Sequence, residues 1–475
     1  MSTVIQQLAA AKRAFLVAAA GCGKTQAIAC AVAESVGERQ LILTHTHAGV
    51  HSLRKRLRSL GVPRKQYEVE TIAGWSLRLA LAYPVRSGFG NPKPQTSTEW
   101  TQLYVGATQL LSLPFMQDVI QATYAGVYVD EYQDCTQTQH RLILALAQLL
   151  PCRVLGDPLQ GIFGFGNDTI IDWDADVRSE FDALPSTLDT PWRWQAHNQR
   201  LGEWLSEVRT LIEAGQPIDL DQAPICWLRS TENNQRRICF DKIRAAGTVI
   251  AIHPENHHAH GCHKLASQLR GNYHSIEEME AKALMKWARQ IELAHTNERA
   301  VATIDFASEC MTQVSTQLRG IKDKFSASGT STPDFSRIRK HEAIAAALVS
   351  ASRSDDLADV VNALRLIREI GDAYLYRADL WYEMLRSIKA YLAGGFSSLP
   401  DAAWHVRTQA RFSGRRDFQR IVSRTLLVKG LEFDHAIVLD ADNMDTKNLY
   451  VALTRGSKSL TVLSQEPVLN PWREE

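Results

Sequence analysis

Apolar segments and segments of helical periodicity alternate along the first 170 residues of the chain. Each short apolar run has the length of a buried strand, and most are followed by apolar positions at helical spacing. The predicted elements are strands at 14–20, 41–44, 126–130 and 152–157 and helices at 25–36, 48–60 and 139–150. Strands that alternate with helices predict an α/β fold with a parallel sheet covered on both faces and ligands at the strands' carboxyl ends.

The later part of the chain is less regular. Segment 84–100 is rich in Pro, Gly, Ser and Thr, which predicts a loop or a small insertion. The pattern is helical from about 275 to 415, with a flexible break predicted at 323–336. Strand patterns flank this helical block, at 225–230, 247–253, 435–441 and 459–465. An α/β pattern that is interrupted by helices and then resumes predicts a helical insertion within a second α/β domain.

Composition narrows the class of protein. The 475 residues suffice for two to four domains, and 45% hydrophobic with 22% charged residues is typical of a folded soluble protein. No apolar run is long enough to span a bilayer and the N-terminus lacks a signal-peptide layout, so we expect a cytoplasmic protein without a membrane partner. The eight cysteines include no CxxC pair, which argues against a zinc ribbon. The net charge of +1 provides no global basic field, although 51–65 and 407–420 are locally basic.

The first predicted strand is followed by "AAAGCGKT", residues 18–25. Gly21 and Gly23 allow a tight turn whose N–H groups point inward, Lys24 supplies a charge for the β- and γ-phosphates, and Thr25 offers a hydroxyl to Mg²⁺. The strict phosphate-loop pattern has glycine where this chain has Ala18. Because the segment joins a predicted strand to a predicted helix, it predicts a P-loop that binds ATP.

The stretch "GVYVDEYQDCTQTQH" (126–140) places acids directly after an apolar strand. Buried carboxylates cost several kcal/mol each unless a cation faces them. In P-loop enzymes an acid at this point holds Mg²⁺, which predicts that role for Asp130. Glu131 is then placed to activate the water that attacks the γ-phosphate. Asp134 is predicted to belong to the start of the following helix.

These motifs resemble those of the UvrD/Rep family of superfamily 1A DNA helicases, whose P-loop often begins with alanine. The similar segments are "VDEYQD" (129–134), "LGDPLQGIFGF" (155–165), "LDTPWRW" (188–194), "VKGLEFDHAIVLDAD" (428–442), "LYVALTRGSKSLTVL" (449–463), "LTHTHAGVHSLRKRL" (43–57) and "ETIAGW" (70–75). They occur in the family's order from residue 6 to residue 463, so the motifs that carry the resemblance span nearly the whole chain.

The resemblance implies roles for individual residues. The implied catalytic residues are Lys24, Asp130, Glu131, the γ-phosphate sensor Gln160 and the arginine fingers Arg193 and Arg455. The implied nucleotide-binding residues are Gln6 for adenine, Ala18, Ala19, Ala20, Gly21, Cys22, Gly23, Lys24 and Thr25 for the phosphates, Trp192 stacked on adenine, and Gly430 and Glu432 near the γ-phosphate and ribose. Thr25 and Asp130 would hold Mg²⁺, and the implied DNA-contacting residues are Thr46, His47, Thr71, Trp75, Phe163 and Phe165.

The resemblance also implies the architecture: two RecA-like P-loop domains with parallel sheets and a helical insertion in the second. The predicted divisions are 1–185 for the first domain with a reduced insertion at 84–125, 186–274 and 416–475 for the two parts of the second domain, and 275–415 for the 2B-like helical insertion.

Other tryptophans, Trp204, Trp287 and Trp381, follow amphipathic helical patterns and are predicted to lie in the core.

The chain departs from the family at three positions on the DNA side or in the coupling elements: Ala73, Gly166 and Leu426. The phosphate-handling residues are unaffected. The resemblance therefore implies an ATP- and Mg²⁺-dependent translocase or helicase that moves on single-stranded or partially duplex DNA, 3′ to 5′ as in the family.

Two alternatives remain at this point. One is a DNA-sensing ATPase that does not unwind, a subunit beside an OLD/TOPRIM-type nuclease, since the short chain resembles compact UvrD-like proteins of Gabija-type anti-phage defence. The other is a P-loop kinase or unrelated ATPase, which would leave "GDPLQGIFGF" and "YVALTRG" unexplained.

A cluster of imidazoles falls outside these motifs. "HPENHHAHGCH" contains His253, His257, His258, His260, Cys262 and His263. A metal site is one reading, because His257 and His260 would share a helix face. A polar turn between strand and helix is the favoured one, because no four ligands have a recognisable spacing.

Overall fold

Two parallel sheets organise the chain, one built from strands before residue 185 and one from strands after it. The computed structural model describes residues 2–94, 96–162, 168–254, 259–277, 281–336, 339–413 and 418–470. Within these residues each of the two sheets has six strands, and every pairing in them is parallel. The predicted fold class is confirmed.

The first sheet and its helices account for the chain up to residue 183. The elements are α1 (Ser2–Ala10), β1 (Arg13–Val17), α2 (Lys24–Glu34), β2 (Gln40–Thr44), α3 (His47–Ser59), β3 (Tyr67–Thr71), α4 (Ile72–Ala82), α5 (Pro84–Ser87), α6 (Ser97–Leu111), α7 (Pro114–Thr123), β4 (Gly126–Val129), α8 (Gln137–Ala147), β5 (Cys152–Gly156) and β6 (Asp182–Ala183). The strand order is β3–β2–β4–β5–β1–β6.

The central strands β2, β4 and β5 are buried along their whole length, and β1 is buried at its three central positions. Val17 of β1 pairs with Gly156, and Val129 of β4 pairs with Val154, so both strands end at the same edge of the sheet. The segments that follow them, the P-loop and the acidic pair, therefore meet at this edge. Strand β1 is shorter than predicted because the loop begins at Ala18.

The sequence pattern missed strand β3. Its sequence, YEVET, alternates buried and half-buried positions, as expected for a strand at the edge of a sheet. The two acids of β3, Glu68 and Glu70, make ion pairs with Arg78, and Glu68 also pairs with Arg39 at 2.6 Å. These paired charges hide the strand in a hydrophobicity profile.

Segment 84–100, predicted as a loop, contains the short helix α5 and the start of α6. Thr96 and Glu99 form a capping box at the start of α6, so the polar residues that suggested a loop are in part a helix start. Helix α6 packs against α4 and α8. The region 84–125, predicted as a reduced insertion, therefore consists mainly of three helices on the first sheet.

The rest of the chain forms the second sheet and a block of helices. The elements are α9 (Trp192–Gln195), α10 (Gln199–Glu213), β7 (Ile218–Asp219), β8 (Cys226–Arg229), α11 (Glu232–Asp241), β9 (Val249–His253), α12 (Ala259–Gln268), β10 (His274–Ser275), α13 (Lys282–Leu293), α14 (Asn297–Cys310), α15 (Val314–Gln317), α16 (Arg319–Ala327), α17 (Glu342–Arg353), α18 (Ala358–Arg368), α19 (Ala378–Leu392), α20 (Leu399–Ser413), β11 (Arg420–Arg424), α21 (Thr425–Val428), β12 (Phe433–Val438), α22 (Thr446–Leu453), β13 (Gly456–Ser464) and β14 (Val468–Leu469). The second sheet has the order β10–β11–β9–β12–β13–β8, and β14 pairs with β7.

Helices α13 to α20 have a hydrophobic core of their own. Trp381 stacks on Phe306 at 5.7 Å between ring centroids, and Trp287 meets Phe306 edge-on at 5.9 Å. The prediction that Trp287 and Trp381 are core residues is confirmed, and Trp204 is partly buried against the core of the second sheet. Helix α16 extends to Ala327, so the predicted flexible break at 323–336 is helical in its first part.

Among the residues that the structure describes, no helix combines the length and the apolar character that a membrane crossing requires. The domain divisions at 185, 274 and 415 stay predictions.

Candidate functional site

The loop between β1 and α2 forms a cradle at the edge where the strands of the first sheet end. Gly21 and Gly23 have φ angles of 72° and 89°, which glycine adopts without strain. A Cβ atom on Gly21 would lie 2.7 Å from the Trp194 ring and 2.9 Å from Cβ of Arg193. Glycine is therefore required at position 21 both by the turn and by the approach of α9.

Lys24 is buried inside this loop. Its Nζ donates to the carbonyl oxygens of Ala18 at 2.6 Å and Ala19 at 3.2 Å. The loop thus curls around its own ammonium group, which is where a phosphate chain would need a positive charge.

Asp130 follows β4 and faces the first turn of α2. Its Oδ2 accepts a hydrogen bond from Thr25 Oγ1 at 3.0 Å, and its Oδ1 accepts from the amide of Glu131 at 3.1 Å. Burial and the neighbouring Glu131 carboxylate raise the pKa of Asp130 to about 7. A carboxylate and a hydroxyl at the end of a P-loop suit Mg²⁺, which prefers oxygen ligands and takes the others from water and phosphates.

Glu131 occupies the left-handed backbone region with a φ angle of 58°, which is uncommon for a residue other than glycine. Its carboxylate accepts from Gln133 Nε2 at 2.6 Å. Burial acts to raise the pKa of Glu131, but Lys24, Lys429 and the hydrogen bond from Gln133 outweigh it, so this pKa is lowered. Glu131 therefore carries its negative charge and can accept a proton from water.

Arg455 is contributed by the second sheet side and is almost fully buried. Its Nε donates to the Val451 carbonyl at 2.8 Å, and its Nη2 lies 3.3 Å from Gln160 Oε1 of the first sheet side. Burial, together with repulsion from Arg193, lowers the pKa of Arg455 to about 9. A buried guanidinium whose positive charge is destabilised in this way attracts an anion strongly.

Arg193 lies between the P-loop and β13. Its Nη1 donates to the Thr454 carbonyl at 2.7 Å, its Nη2 pairs with Glu432 at 2.6 Å, and its amide donates to Gly21 at 3.3 Å. The structure thus brings together two residues implied by different motifs, Arg193 and Glu432. Gly430, with a φ angle of 77°, forms the turn just before Glu432.

The predicted adenine-side residues, Gln6 and Trp192, are both exposed, and their roles stay predictions. Trp192 is 47% exposed, which leaves its ring available for stacking. Gln6 lies on the exposed side of α1, whereas the neighbouring Gln7 accepts a hydrogen bond from the Ser186 amide at 3.2 Å. Gln7, which the sequence analysis did not select, therefore ties α1 to the segment that leads to Trp192.

Three further residues that the sequence analysis missed join the two sheets at this site. Arg209 of α10 donates to Asp157 at 2.7 Å and to the Tyr450 hydroxyl at 3.1 Å. That hydroxyl accepts from the amide of Ala20 in the P-loop at 3.3 Å. Arg209 lies in an ordinary amphipathic helix, so no local pattern marks it. Asp157 and Tyr450 belong to the recognised segments and were recoverable from them.

Lys429 was also missed, and its position corrects the prediction for Asp134. Lys429 Nζ pairs with Asp134 and donates to the Gln160 carbonyl, and both charged side chains are buried. Asp134 lies in the 3₁₀ turn Tyr132–Asp134, and Thr136 is the residue that caps α8. The acid therefore belongs to a contact between the two sheets instead of to the start of a helix. Burial raises the pKa of Asp134 to about 7 and lowers that of Lys429.

A family model described as an AAA domain matches residues 2–166, about a third of the chain. The chain contains an AAA-type P-loop ATPase domain. Domains of this kind occur in UvrD/Rep-like helicases. A comparison with curated proteins gives no significant match.

Five of the six predicted DNA-contacting residues fall into three groups. Thr46 and Thr71 cap helices α3 and α4 by accepting from the amides of Gly49 and Gly74 at 3.0 and 2.9 Å, and Thr46 remains exposed while Thr71 is buried. His47 begins α3 and is half-buried. Phe163 and Phe165 lie outside the described residues.

The prediction for Trp75 is wrong. Only 2% of its surface is exposed, and it belongs to the core that α4, α6 and α7 share with the first sheet. An inward-facing position on α4 buries the indole, which leaves no face of the ring exposed for stacking on a base.

The described part of the imidazole cluster does not form a metal site. His253 is buried at the end of β9, and His263 Nδ1 is 2.7 Å from Ser275 Oγ. Among the described residues no group of three or more His, Cys, Asp or Glu side chains could hold a metal ion. His257 and His258 lie outside those residues.

Proposed function

We propose that this ATPase is a superfamily 1A motor that hydrolyses ATP to move along single-stranded DNA. The observation that carries the proposal is the convergence of P-loop, acids and arginines from two sheets on one cleft. Lys24, Asp130 and Glu131 come from the first sheet, and Arg193 and Arg455 come from beyond it. An ATPase that must convert hydrolysis into movement needs charge-stabilising groups on both moving parts.

The proposed roles combine the positions of the side chains with the resemblance to the helicase motifs. The P-loop amides and Lys24 would bind the phosphates, and Thr25 and Asp130 would hold Mg²⁺, which would neutralise phosphate charge. Glu131 takes the proton of the attacking water. Arg193 and Arg455 stabilise the charge that develops on the γ-phosphate. Trp192 stacks on adenine.

A chain of hydrogen bonds supports coupling between hydrolysis and movement. From Glu131 it passes to Gln133 at 2.6 Å, and from Gln133 to the amide of Asp157 at 2.9 Å. Gln160 donates to Asp157 at 2.7 Å and lies 3.3 Å from Arg455. These contacts, the first part-buried and the others buried, link Glu131 to the arginine of the second sheet.

The DNA substrate is supported by the helix starts at the carboxyl edge of the first sheet. Thr46 follows β2 and Thr71 ends the adjacent strand β3, on the edge where the P-loop also lies. Exposed Thr46 and half-buried His47 offer polar groups to a phosphate backbone there. A 3′ to 5′ direction is proposed from the resemblance alone.

The test is ATP hydrolysis with and without single-stranded DNA. We expect stimulation of the wild-type protein by DNA and a loss of hydrolysis of about 10²–10⁴-fold in Glu131→Gln. Lys24→Ala should lose nucleotide binding as well. A matched control is Glu180→Gln, which removes a surface ion pair with Arg13. Full turnover by Glu131→Gln would exclude the mechanism, and hydrolysis indifferent to DNA would favour an ATPase of another kind.

One observation favours a second function, a DNA-sensing ATPase that does not unwind and that works with an OLD/TOPRIM-type nuclease. Burial of Trp75 removes one of the three aromatic side chains expected to stack on bases. Strand displacement on a partial duplex separates the two functions, because only a helicase releases the annealed strand.

A further inference from the structure

A second cavity lies far from the nucleotide cleft, where the edge of the second sheet meets the helical block. Its volume is about 290 Å³. Arg270, His274 and Phe418 line it from the sheet side, and Arg368, Tyr374 and Tyr382 from the helices. Strand β10, which begins at His274, is four strand spacings from β13, a distance of about 19 Å. The cavity is therefore separate from the arginines of the cleft.

The described residues of this cavity carry positive charge. Arg270 and Arg368 are exposed, and in the part of the chain that the structure describes neither guanidinium forms an ion pair. None of the described residues that line the cavity carries a carboxylate. Arg365, one turn earlier on α18, differs because it pairs with Glu369 at 3.3 Å. Two unpaired guanidinium groups beside one concave surface attract an anion, and their fork geometry suits a phosphate.

The remaining wall is aromatic. The rings of His274 and Phe418 lie 4.5 Å apart at an angle of 44°. Phe418 packs against the cores of both the second sheet and the helical block, which fixes its position. Tyr382 packs against the helical core and Tyr374 is 37% exposed. Such a wall offers apolar surface to a planar ring.

The two sides of the cavity are held together by a tight turn and by backbone contacts. Arg270 and Gly271 have φ angles of 51° and 72°. A Cβ atom on Gly271 would come within 3.3 Å of Tyr374, so glycine permits the close approach. The amide of Ser275 donates to the Tyr376 carbonyl at 2.9 Å. The site is thus formed before any ligand arrives, as small-molecule sites are.

We propose that this cavity binds a mononucleotide-sized ligand, with the phosphate on Arg270 and Arg368 and the base against the aromatic wall. The volume is near the lower end of the range of about 300–1,000 Å³ for ligand sites, which suits a single nucleotide. The nucleotide is either free or the 5′-phosphorylated end of a DNA strand, since both carry the same chemistry. This inference does not depend on the function proposed for the cleft.

The test is calorimetric titration of the full chain with AMP, adenosine and inorganic phosphate, with the P-loop saturated by ADP and Mg²⁺. We expect AMP to bind at least ten-fold more tightly than adenosine or phosphate alone. The double variant Arg270→Gln/Arg368→Gln should bind AMP at least ten-fold more weakly. Arg365→Gln, on the same helix but outside the cavity, should bind AMP as the wild type does. Because all three arginines are exposed, we expect unchanged unfolding midpoints.

A comparison of AMP with 5′-phosphorylated and 5′-hydroxyl oligodeoxynucleotides identifies the source of the ligand. Tighter binding of AMP assigns the site to a free nucleotide, and tighter binding of the phosphorylated strand assigns it to a DNA end. The proposal is overturned by the absence of AMP binding at millimolar concentration, or by equal AMP affinity in the double variant and the wild type. AMP binding no tighter than that of phosphate would overturn the role of the aromatic wall.

Discussion

Two buried clusters of charge in this protein behave in opposite ways. One is the nucleotide cleft, and the other is the seam cluster, which we define as Glu277, Glu309, Arg377, Glu383 and Arg407, between the second sheet and the helical block. In the seam cluster, Arg377 forms a two-pronged contact with Glu277 at 2.6 and 2.7 Å and also pairs with Glu309. Arg407 pairs with Glu383 at 2.7 Å.

The pKa values record the difference. In the seam cluster, burial acts to raise the pKa of Glu277, but Arg377 outweighs it and the pKa is lowered. In the cleft, burial raises the pKa of Asp130 to about 7 and lowers that of Arg455 to about 9. Each seam charge thus finds its partner within the fold, whereas in the cleft the charged forms of Asp130 and Arg455 are disfavoured by burial and by a neighbouring like charge. We infer that the seam serves structure and the cleft serves chemistry.

The largest expected effect is on catalysis, from Arg455→Lys. Lysine keeps the charge but loses the fork that contacts Gln160 and the carbonyls of Val451 and Leu431. We expect kcat for ATP hydrolysis to fall by about 10³-fold or more, as for other arginine fingers. Steady-state phosphate release measures it, with Arg365→Lys as the control on an exposed helix face. A loss of less than ten-fold would place Arg455 outside the catalytic group.

The converse change in the seam is Arg377→Ala. It removes the two-pronged contact of the buried Glu277 and one of the contacts of the half-buried Glu309, so we expect the free energy of unfolding to fall by about 3–5 kcal/mol. Urea denaturation measures this loss, and Arg365→Ala, which removes an exposed pair, should cost at most about 1 kcal/mol. If both variants were equally stable, the seam cluster would not hold the helical block in place.

The dependence of stability on pH should separate the two clusters further. The pKa of Glu277 is lower in the folded than in the unfolded chain, so its contribution is present above the unfolded value of about 4.3 and is lost as pH falls through the folded one. The stability of the wild type should fall as the pH drops below about 4.5. We expect this fall to be less steep in Glu277→Gln. Thermal melts from pH 3 to 7 measure the slope. An unchanged slope would contradict the pairing with Arg377.

The smallest expected effect is that of Trp192→Ala. Because the indole is half-exposed, its removal costs little stability, and the loss of one stacking contact of about 1 kcal/mol should raise the KM for ATP about five-fold at an unchanged kcat. Its matched residue is Trp194, which is buried and donates to the Gly456 carbonyl at 2.7 Å. Trp194→Ala should lower the stability of the protein instead of raising the KM for ATP. A lower kcat in Trp192→Ala would mean that the ring also positions Arg193.

Much of the fold and part of the site could be predicted from the sequence. Buried parallel strands such as β2, β4 and β5 are near-continuous apolar runs, and the P-loop and the acids after β4 are short, local patterns. The strand β3 and the start of α6 were missed because edge strands and helix caps carry polar residues that resemble loops.

The sequence by itself determined the phosphate loop, the acidic pair and the alternation that builds two sheets, because a turn or a strand depends on residues that are adjacent in the chain. Only the tertiary structure decided that Lys429 meets Asp134 across 295 residues and that Arg209 joins Asp157 to Tyr450. It also decided that Trp75 faces the core. Such contacts join distant segments, and a local pattern carries no information about which face of a helix another segment will cover.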